Sequence, residues 1–457
     1  MSVTGGRTRE ESRRVGKALR KQVPRSSHAD WAPSADRPDP IGLLEAQNVD
    51  RLQWLVPVRF TRMSPSPFTF FRGGAKIMSE DLSTTPDTGL TVQVCGDAHL
   101  LNFGTFGSPE RTFLFDLNDF DETLPGPWEW DIKRFAASLM IASRDNEFDE
   151  EEGREATRRG VQAYREAMSG FMDMRAVDVW YSRLTASDIR RLMPRKHRKG
   201  MDKRLVKARS KNSLQALSKL AEPDGDGYRV RSDPPLLHPR RDLGHVASPD
   251  ELDRLLTDAF GRYRTTLRDD RKLLVDRYRI VDWAIKVVGV GSAGTRCFIV
   301  LMMGRQEGDP LFLQLKEATA SVLEDHLPAS VYDTHGRRVV EGQRLMQAAS
   351  DVFLGWTVGQ TGHYYWRQLR DMKGTAPVET FSPRIMARYA RLCGWTLARA
   401  HARSGDAVAM ASYMGSGRTF DEAITMFAER YADQNEADYR RFRAAIKSRQ
   451  IETADED

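Results

Sequence analysis

The sequence predicts an α+β protein of two lobes, a small β-rich lobe set into a larger, mainly helical one. Three observations carry this reading. From about 281 to 375, short apolar runs such as Cys297–Met303 and Leu311–Leu315 are separated by glycine and polar turns, the pattern of strands. On either side, 132–170 and 383–447 carry apolar residues at helical spacing. Between these regions, Leu220 to Val246 is rich in Asp, Gly and Pro, including Pro234-Pro235 and His238-Pro239, and reads as a boundary. The 457 residues suffice for one large core or two lobes.

Five segments follow in order. Residues 1–60 read as an N-terminal arm and docking segment. The first 40 or so are Arg-, Ser- and Pro-rich, as in a mobile arm, whereas Leu43, Leu44, Leu52, Trp54 and Leu55 supply docking contacts. Residues 61–225 hold an acidic loop region and a basic insertion, and 226–280 a linker and a helix for which Ser248 is the cap. The small lobe occupies 281–375, and the helices of 376–457 complete the large lobe.

Composition excludes several classes. The chain is 40% hydrophobic and 29% charged, ordinary for a globular protein. Its longest apolar run, Cys297–Met303, is seven residues, against the ~20 of a membrane helix. Residues 1–25 are Arg-rich without an apolar core, unlike a secretory signal. Three widely spaced cysteines argue against a disulfide framework or zinc site and fit a reducing cytoplasm. From Arg190 to Lys211, eleven Lys or Arg face a single acid, Asp202. Such a run either grips a polyanion or forms a solvated helix face, and the absence of aromatics within it disfavours a stacking platform for single strands.

The chemistry concentrates between Val92 and Asp131. A strand from Thr91 to Cys95 breaks at Gly96-Asp97, a loop runs to Asn102, and a second strand, Thr112–Leu117, delivers Asp116, Asp119, Asp121 and Glu122. Asp, Asn and Gly are default turn residues, so turn chemistry alone is one reading. The other is a Mg²⁺-assisted phosphoryl-transfer site, in which one carboxylate orients the attacking hydroxyl while an amide oxygen and a second carboxylate hold the cation. Asp97 and Asn102 stand five apart, the spacing of the kinase catalytic loop.

Gly96-Asp97-Ala98-His99-Leu100-Leu101-Asn102 resembles the H-G-D-x-H-x-x-N loop of aminoglycoside and choline phosphotransferases. Asp119-Phe120-Asp121 resembles their second metal motif, and Asp131, twelve residues after Asp119, matches the final Asp of their G-D-P-x-x-D. That spacing selects Asp119 over Asp116. Cys95 stands where those families have His, and Leu100-Leu101 replace a Pro-Gly pair. At closer range almost the whole chain resembles the bacterial family catalogued as domain of unknown function 2252, through RMSPSPFTFFRG, CGDAHLLNFG, NDFDET, GPWEWDIKR, GVGSAGTRC, QLKEA and RQLRDMKG. The phosphotransferase resemblance implies Asp97, His99 and Asn102 as catalytic-loop residues and Asn102, Asp119, Asp116 and Asp121 as the metal set. It also implies that Asp131 supports the loop.

Further on, Gly289, Gly291 and Gly294 lie between two β-like runs. They are either a tight hairpin or a loop that covers ATP phosphates. Lys316 ends the next alternating run, resembling the V-A-I-K strand of kinases, and a helix over 337–350 carries Glu341, the first choice to pair it, with Glu324 as the alternative. Strands over 351–358 and 363–369 follow, and Gln368 to Gly374, with Gln368 and Arg370, reads as the hinge that meets adenine. Arg72 pairs a structural carboxylate or reaches a phosphate. His401, at the end of the helix over 383–403, reads as a packed histidine. The order, acidic loops before glycine turn and lysine, is the reverse of a kinase. The expectation is therefore a circularly permuted, kinase-like fold that uses ATP and Mg²⁺ to phosphorylate a hydroxyl acceptor, more readily a small molecule than a protein. Nucleotidyl (AMP) transfer and non-catalytic nucleotide or polyanion binding are the alternatives.

Overall fold

The computed structural model describes residues 7–192, 195–210, 212–244, 248–305, 308–360, 362–369 and 372–454. The chain is a mixed α+β protein. Its helical body is built on Trp128–Asp145, Glu150–Phe171, Pro383–Ala402 and Thr419–Lys447. Trp128, Phe135, Leu139, Tyr164, Leu397 and Phe427 are fully buried between them, with the Trp128 and Tyr164 rings stacked at 5.8 Å. Trp128–Asp145 is buried on nearly every face because it runs through the middle of the body, and its in-facing polar groups all require partners.

The principal sheet has six antiparallel strands in the order Gly355–Val358, His363–Gln368, Pro310–Ala318, Cys297–Met303, Arg279–Lys286, Leu237–Pro239. Pro310–Ala318 is buried at every position because both faces are covered. Leu311, Leu313 and Leu315 pack with Tyr263, Trp283 and Trp366. On the opposite face Phe312 meets Leu217 and Leu220, and strand alternation sends Gln314 and Lys316 to that same side. Helix His335–Met346 lies between the fourth and fifth strands in chain order and packs on the sheet. A second sheet, Gly374–Thr375, Phe103–Gly107, Phe113–Leu117 and Leu184–Thr185, joins the end of the first to the acidic loops.

Two segments differ from the sequence reading. The region expected as an arm is docked from residue 9 onward: Arg9–Gln22 is a helix capped by a reciprocal Thr8/Glu11 box. Its arginines explain the difference. Arg20 donates to the Tyr413 carbonyl at 2.9 Å and Arg25 to that of Met414 at 2.9 Å, the free acceptors at the end of helix Ala407–Met414. His28 is buried against Tyr413 at 2.8 Å, and Arg37 bridges Asp81 and Asp438 at 2.6 and 2.7 Å. The second difference is 226–280, where Leu237–Pro239 forms the sheet edge and Tyr263 of helix Pro249–Thr265 stacks on Trp366 at 4.8 Å. The sheet unit therefore begins well before 281. Among the described residues no helix is long and apolar enough to cross a membrane, and Cys95, Cys297 and Cys393 are free and buried.

Docking of the first helix hinges on Gly16, where a Cβ would lie 2.1 Å from the Ala409 carbonyl oxygen. Gly16→Val is expected to cost about 1–3 kcal/mol through overpacking. Urea denaturation measures the loss, and limited proteolysis should cut within 9–31 in the variant before it does in the wild type.

Candidate active site

The loop after strand Thr91–Val94 is shaped from below by one carboxylate. Asp131, in the first turn of Trp128–Asp145, accepts from the Cys95 and Gly96 amides at 2.8 and 3.0 Å. His401 Nε2 lies 3.1 Å from the same carboxylate while Nδ1 meets the Tyr164 hydroxyl at 2.8 Å, so His401 is a packed residue of this support. Gly96 has φ of +78°, and a Cβ there would fall 2.4 Å from the Glu122 carbonyl. Only glycine lets the Asp97 loop lie this close to the acidic loop.

Asp97 Oδ1 accepts from Arg134 Nε at 2.6 Å, and its main-chain oxygen accepts from Asn102 Nδ2 at 2.5 Å. Burial raises the Asp97 carboxyl above the usual carboxylate range, opposed chiefly by Arg134. His99 Nδ1 accepts from the Leu101 amide at 3.2 Å, which leaves the proton on Nε2, 3.7 Å from Asp97 Oδ2. Burial, with Arg72 and Arg134 nearby, holds His99 far below its ordinary pKa and keeps it neutral.

The second half of the site follows strand Phe113–Leu117. Asp121 accepts from Lys316 Nζ through one oxygen, from the Tyr365 hydroxyl at 2.9 Å through the other, and from Ser292 Oγ at 3.2 Å. Lys316 is 2% exposed. Burial raises the Asp121 carboxyl, but Lys316 outweighs it and holds the group below its usual range. Conversely, Asp119 and Asp121 raise the Lys316 ammonium against its desolvation. Asp119 has a buried Oδ1 with no hydrogen-bond partner among the described residues, and burial together with Asp121 raises its carboxyl.

The glycine segment turns between strands Arg279–Lys286 and Cys297–Met303, with φ of +65° at Gly289 and +91° at Gly294. It is pinned to the N-terminal region. Arg62 donates to the Gly289 carbonyl at 2.6 Å, Arg51 to that of Ala293 at 2.6 Å, and the Leu52 amide to that of Gly294 at 2.8 Å. Gly289, Gly291 and Ser292 thereby roof a cavity of about 120 Å³ whose walls include Asp97, His99, Asn102, Asp119, Asp121, Glu122, Arg51 and Arg72. A larger apolar cavity of about 750 Å³, between Phe171, Trp395 and Ile189, contains none of these acids. The small one holds the acidic side chains.

Several expected roles are corrected. Asp116 faces away from the cavity: Arg399 and the Ala348 amide hold its carboxylate, so it is a buried structural acid. Glu341 does not meet Lys316 but pairs Arg344 at 3.1 Å, one turn along its own helix. Glu324 is no substitute, since it caps Ser321 at 3.1 Å and lies 3.7 Å from Arg338. What helix His335–Met346 sends toward the acidic loop is a cation: Arg338 donates to the Asp121 and Thr123 carbonyls at 2.8 and 2.6 Å. Gln368 gives its amide to Asp351 and stands outside the cavity, while Arg370 lies outside the described residues. In the basic run, helix Arg195–Arg209 is described, Arg190 pairs Asp202 at 2.8 Å, Lys211 lies outside the described residues, and none of the run lines the cavity.

Four contributors went unread in the sequence: Arg134, Ser292, Arg338 and Tyr365. Arg134 had a signal, since it stands three residues after Asp131 on one helix face. Tyr365 had none, because its place beside Lys316 is set by strand register.

A buried lysine–carboxylate pocket between an antiparallel sheet and a helical body thus defines the site. Over residues 51–445 the chain matches the family described as "Uncharacterized protein conserved in bacteria (DUF2252)", and it belongs to that family. No curated protein and no solved structure matches it.

Two outcomes follow from these carboxylates. Arg399→Met strands the Asp116 charge and should cost about 3–5 kcal/mol, whereas Arg399→Met with Asp116→Asn should recover much of it; chemical denaturation of both variants decides. Burial pushes Glu122 up to about 7, opposed by the Val322 amide. The folded state then binds this proton more tightly than the unfolded one. Its contribution is complete below the ordinary value near 4.5 and disappears as pH rises through about 7. Glu122→Gln should therefore flatten the fall in Tm between pH 5 and 8.

Proposed function

We propose that the protein transfers a phosphoryl group from ATP, with Mg²⁺, to a hydroxyl of a small-molecule acceptor, on a kinase-like fold in circularly permuted order. One observation carries the proposal. The loop bearing Asp97, the acidic turn bearing Asp119 and Asp121, and the glycine turn of 289–294 line one cavity, and Lys316 reaches Asp121 in its wall from 195 positions beyond. Side chains so distant in sequence meet where a phosphate, a cation and a base must act together. Chain order within the sheet unit supports the same reading: glycine turn, lysine strand, helix, then two strands.

The donors fit a hard cation. Asn102 lines the cavity and uses its amide nitrogen on the Asp97 carbonyl, and Asp119 Oδ1 is buried without a partner among the described residues. Among the described residues no preformed cluster of three or more His, Cys, Asp or Glu exists. That suits Mg²⁺, which keeps waters and takes phosphate oxygens beside one or two carboxylates. When bound, Mg²⁺ would neutralise charge on the transferring phosphoryl group.

In this mechanism Asp97 accepts the acceptor's hydroxyl proton. Its Oδ1 is fixed by Arg134, and its raised pKa makes it a stronger base than an exposed carboxylate. The acceptor oxygen forms its bond to the γ-phosphorus as the bond to the ADP oxygen breaks, and the proton ends on Asp97. Lys316, held by Asp121 in place of the expected helix glutamate, faces the α/β-phosphates. The backbone amides of the glycine turn approach from above. The cavity, about 120 Å³, is narrow under the glycine turn, and lifting of that turn from the body would ease the entry of ATP.

Asp97→Ala and Asp119→Ala should each slow turnover on the order of a hundredfold or more. Asp119→Ala should also weaken Mg²⁺-dependent nucleotide binding, which Asp97→Ala should leave nearly unchanged. ATP labelled at the γ- or the α-phosphate, incubated with pools of hydroxylated small molecules, reports the reaction. Label from the γ position supports phosphoryl transfer, and label from the α position replaces it with AMP transfer. Turnover equal to wild type in both variants overturns the assignment.

A further inference from the structure

Four arginines stand at the Asp97 side of the cavity, and three of them donate side-chain hydrogen bonds, although Arg59 Nε is buried without a partner among the described residues. Arg134 is held by the Asp97 carboxylate and by the Phe71 carbonyl at 3.1 Å. Arg59 is held by Asn48, by Gln47 at 3.0 Å and by the Gly73 carbonyl at 3.2 Å. Arg51 is held by the carbonyls of Ala293 and Gln47 at 2.6 and 3.2 Å. Arg72 is the exception. Among the described residues it forms no ion pair or hydrogen bond through its side chain, and its Nε is buried without a partner. Local structure holds it there. Helix Pro67–Gly73 is capped by Ser66, anchored by buried Phe70 and Phe71, and cannot rotate at Gly73, where a Cβ would fall 2.5 Å from Met63 Sδ. The Arg72 carbonyl lies beneath the glycine turn, 3.3 Å from where a Gly291 Cβ would stand.

Asp97 and Glu379 act on Arg72 only through space, with neither in ion-pair contact, so its guanidinium is unengaged and ready for the anion of a ligand. Phosphoryl oxygens suit its planar fork of donors. We infer that Arg72 is a phosphate-binding residue of this site, gripping non-bridging oxygens of a phosphoryl group between Asp97 and the glycine turn. The inference rests on the phosphotransferase reading for its biological setting, but the anion site itself is testable without nucleotide or turnover. Two sources share the chemistry, the γ-phosphate of the donor and a phosphate carried by the acceptor.

The experiment has two arms. In the first, calorimetry measures pyrophosphate binding to the full chain without Mg²⁺ or nucleotide, for wild type, Arg72→Lys and Arg72→Ala, with thermal melts confirming that each variant is folded. Loss of a charge-assisted bidentate contact should weaken binding about 10–100-fold in Arg72→Ala, with Arg72→Lys between. In the second arm, a non-hydrolysable ATP analogue and ADP are compared, each with Mg²⁺. A defect in Arg72→Ala with the analogue and not with ADP assigns the γ-phosphate, and unchanged affinity for both assigns a phosphate on the acceptor. Absence of pyrophosphate binding in wild type, or equal binding by folded Arg72→Ala, overturns the inference. Anion binding lost with Arg72 in a protein that turns over no labelled ATP would instead uphold the anion site and remove its phosphotransferase setting.

Discussion

A lysine amine buried at the centre of a sheet has to meet a carboxylate, and Lys316 meets Asp121 across the boundary between sheet and body. Much of the site's geometry depends on that bond. Tyr365, opposite Lys316 in the neighbouring strand, donates to the second oxygen of the same carboxylate. Ser292 brings the glycine turn to it, and Arg338 fixes the loop's backbone from the helix packed on the sheet. One acidic side chain thereby gathers a strand, a neighbouring strand and a turn, so that displacing it would loosen three elements together.

The carboxylates of this region divide by how well their oxygens are satisfied. Asp131 gives its oxygens to two loop amides and His401, and Asp116 to Arg399 and the Ala348 amide; both are 1% exposed. These two shape the loops and have nothing left to offer a ligand. Asp119 keeps an oxygen with no partner among the described residues, and Asp97 Oδ2 lies 3.7 Å from His99 Nε2. Native structures rarely leave such groups unmet. Hydrogen-bond accounting thus separates Asp116, whose carboxylate is taken up inside the protein, from Asp119, whose Oδ1 has no partner among the described residues.

Much of the fold was legible because it is local. The strands at Cys297–Met303, Pro310–Ala318 and His363–Gln368 follow from alternation and glycine turns, and helix Pro383–Ala402 from its apolar spacing. Long-range pairing was not legible. The lysine's partner was sought on the helix, since Glu341 stood at the expected place in chain order, yet helix rotation turns Glu341 to Arg344 and presents Arg338 instead. The first 40 residues were misread for a related reason. Their arginines look like a solvated arm until helix Ala407–Met414, almost 400 residues away, offers unsatisfied carbonyls for them.

The closed cavity also constrains how the site would work. A triphosphate brings several negative charges toward a wall already holding Asp97, Asp119, Asp121 and Glu122. Without a cation that approach is repulsive, and the orphaned oxygen of Asp119 marks where positive charge is wanting on the acidic side. Arg72 and Arg51 line the same cavity, with Lys316 bound to Asp121 between sheet and body. Opening would leave Lys316 and Asp121 to exchange one partner for another, ammonium to phosphate and carboxylate to metal, so neither charge need be left bare. On the proposed reading the ion pair seen here is the resting form of the same contacts that a nucleotide and its metal would complete.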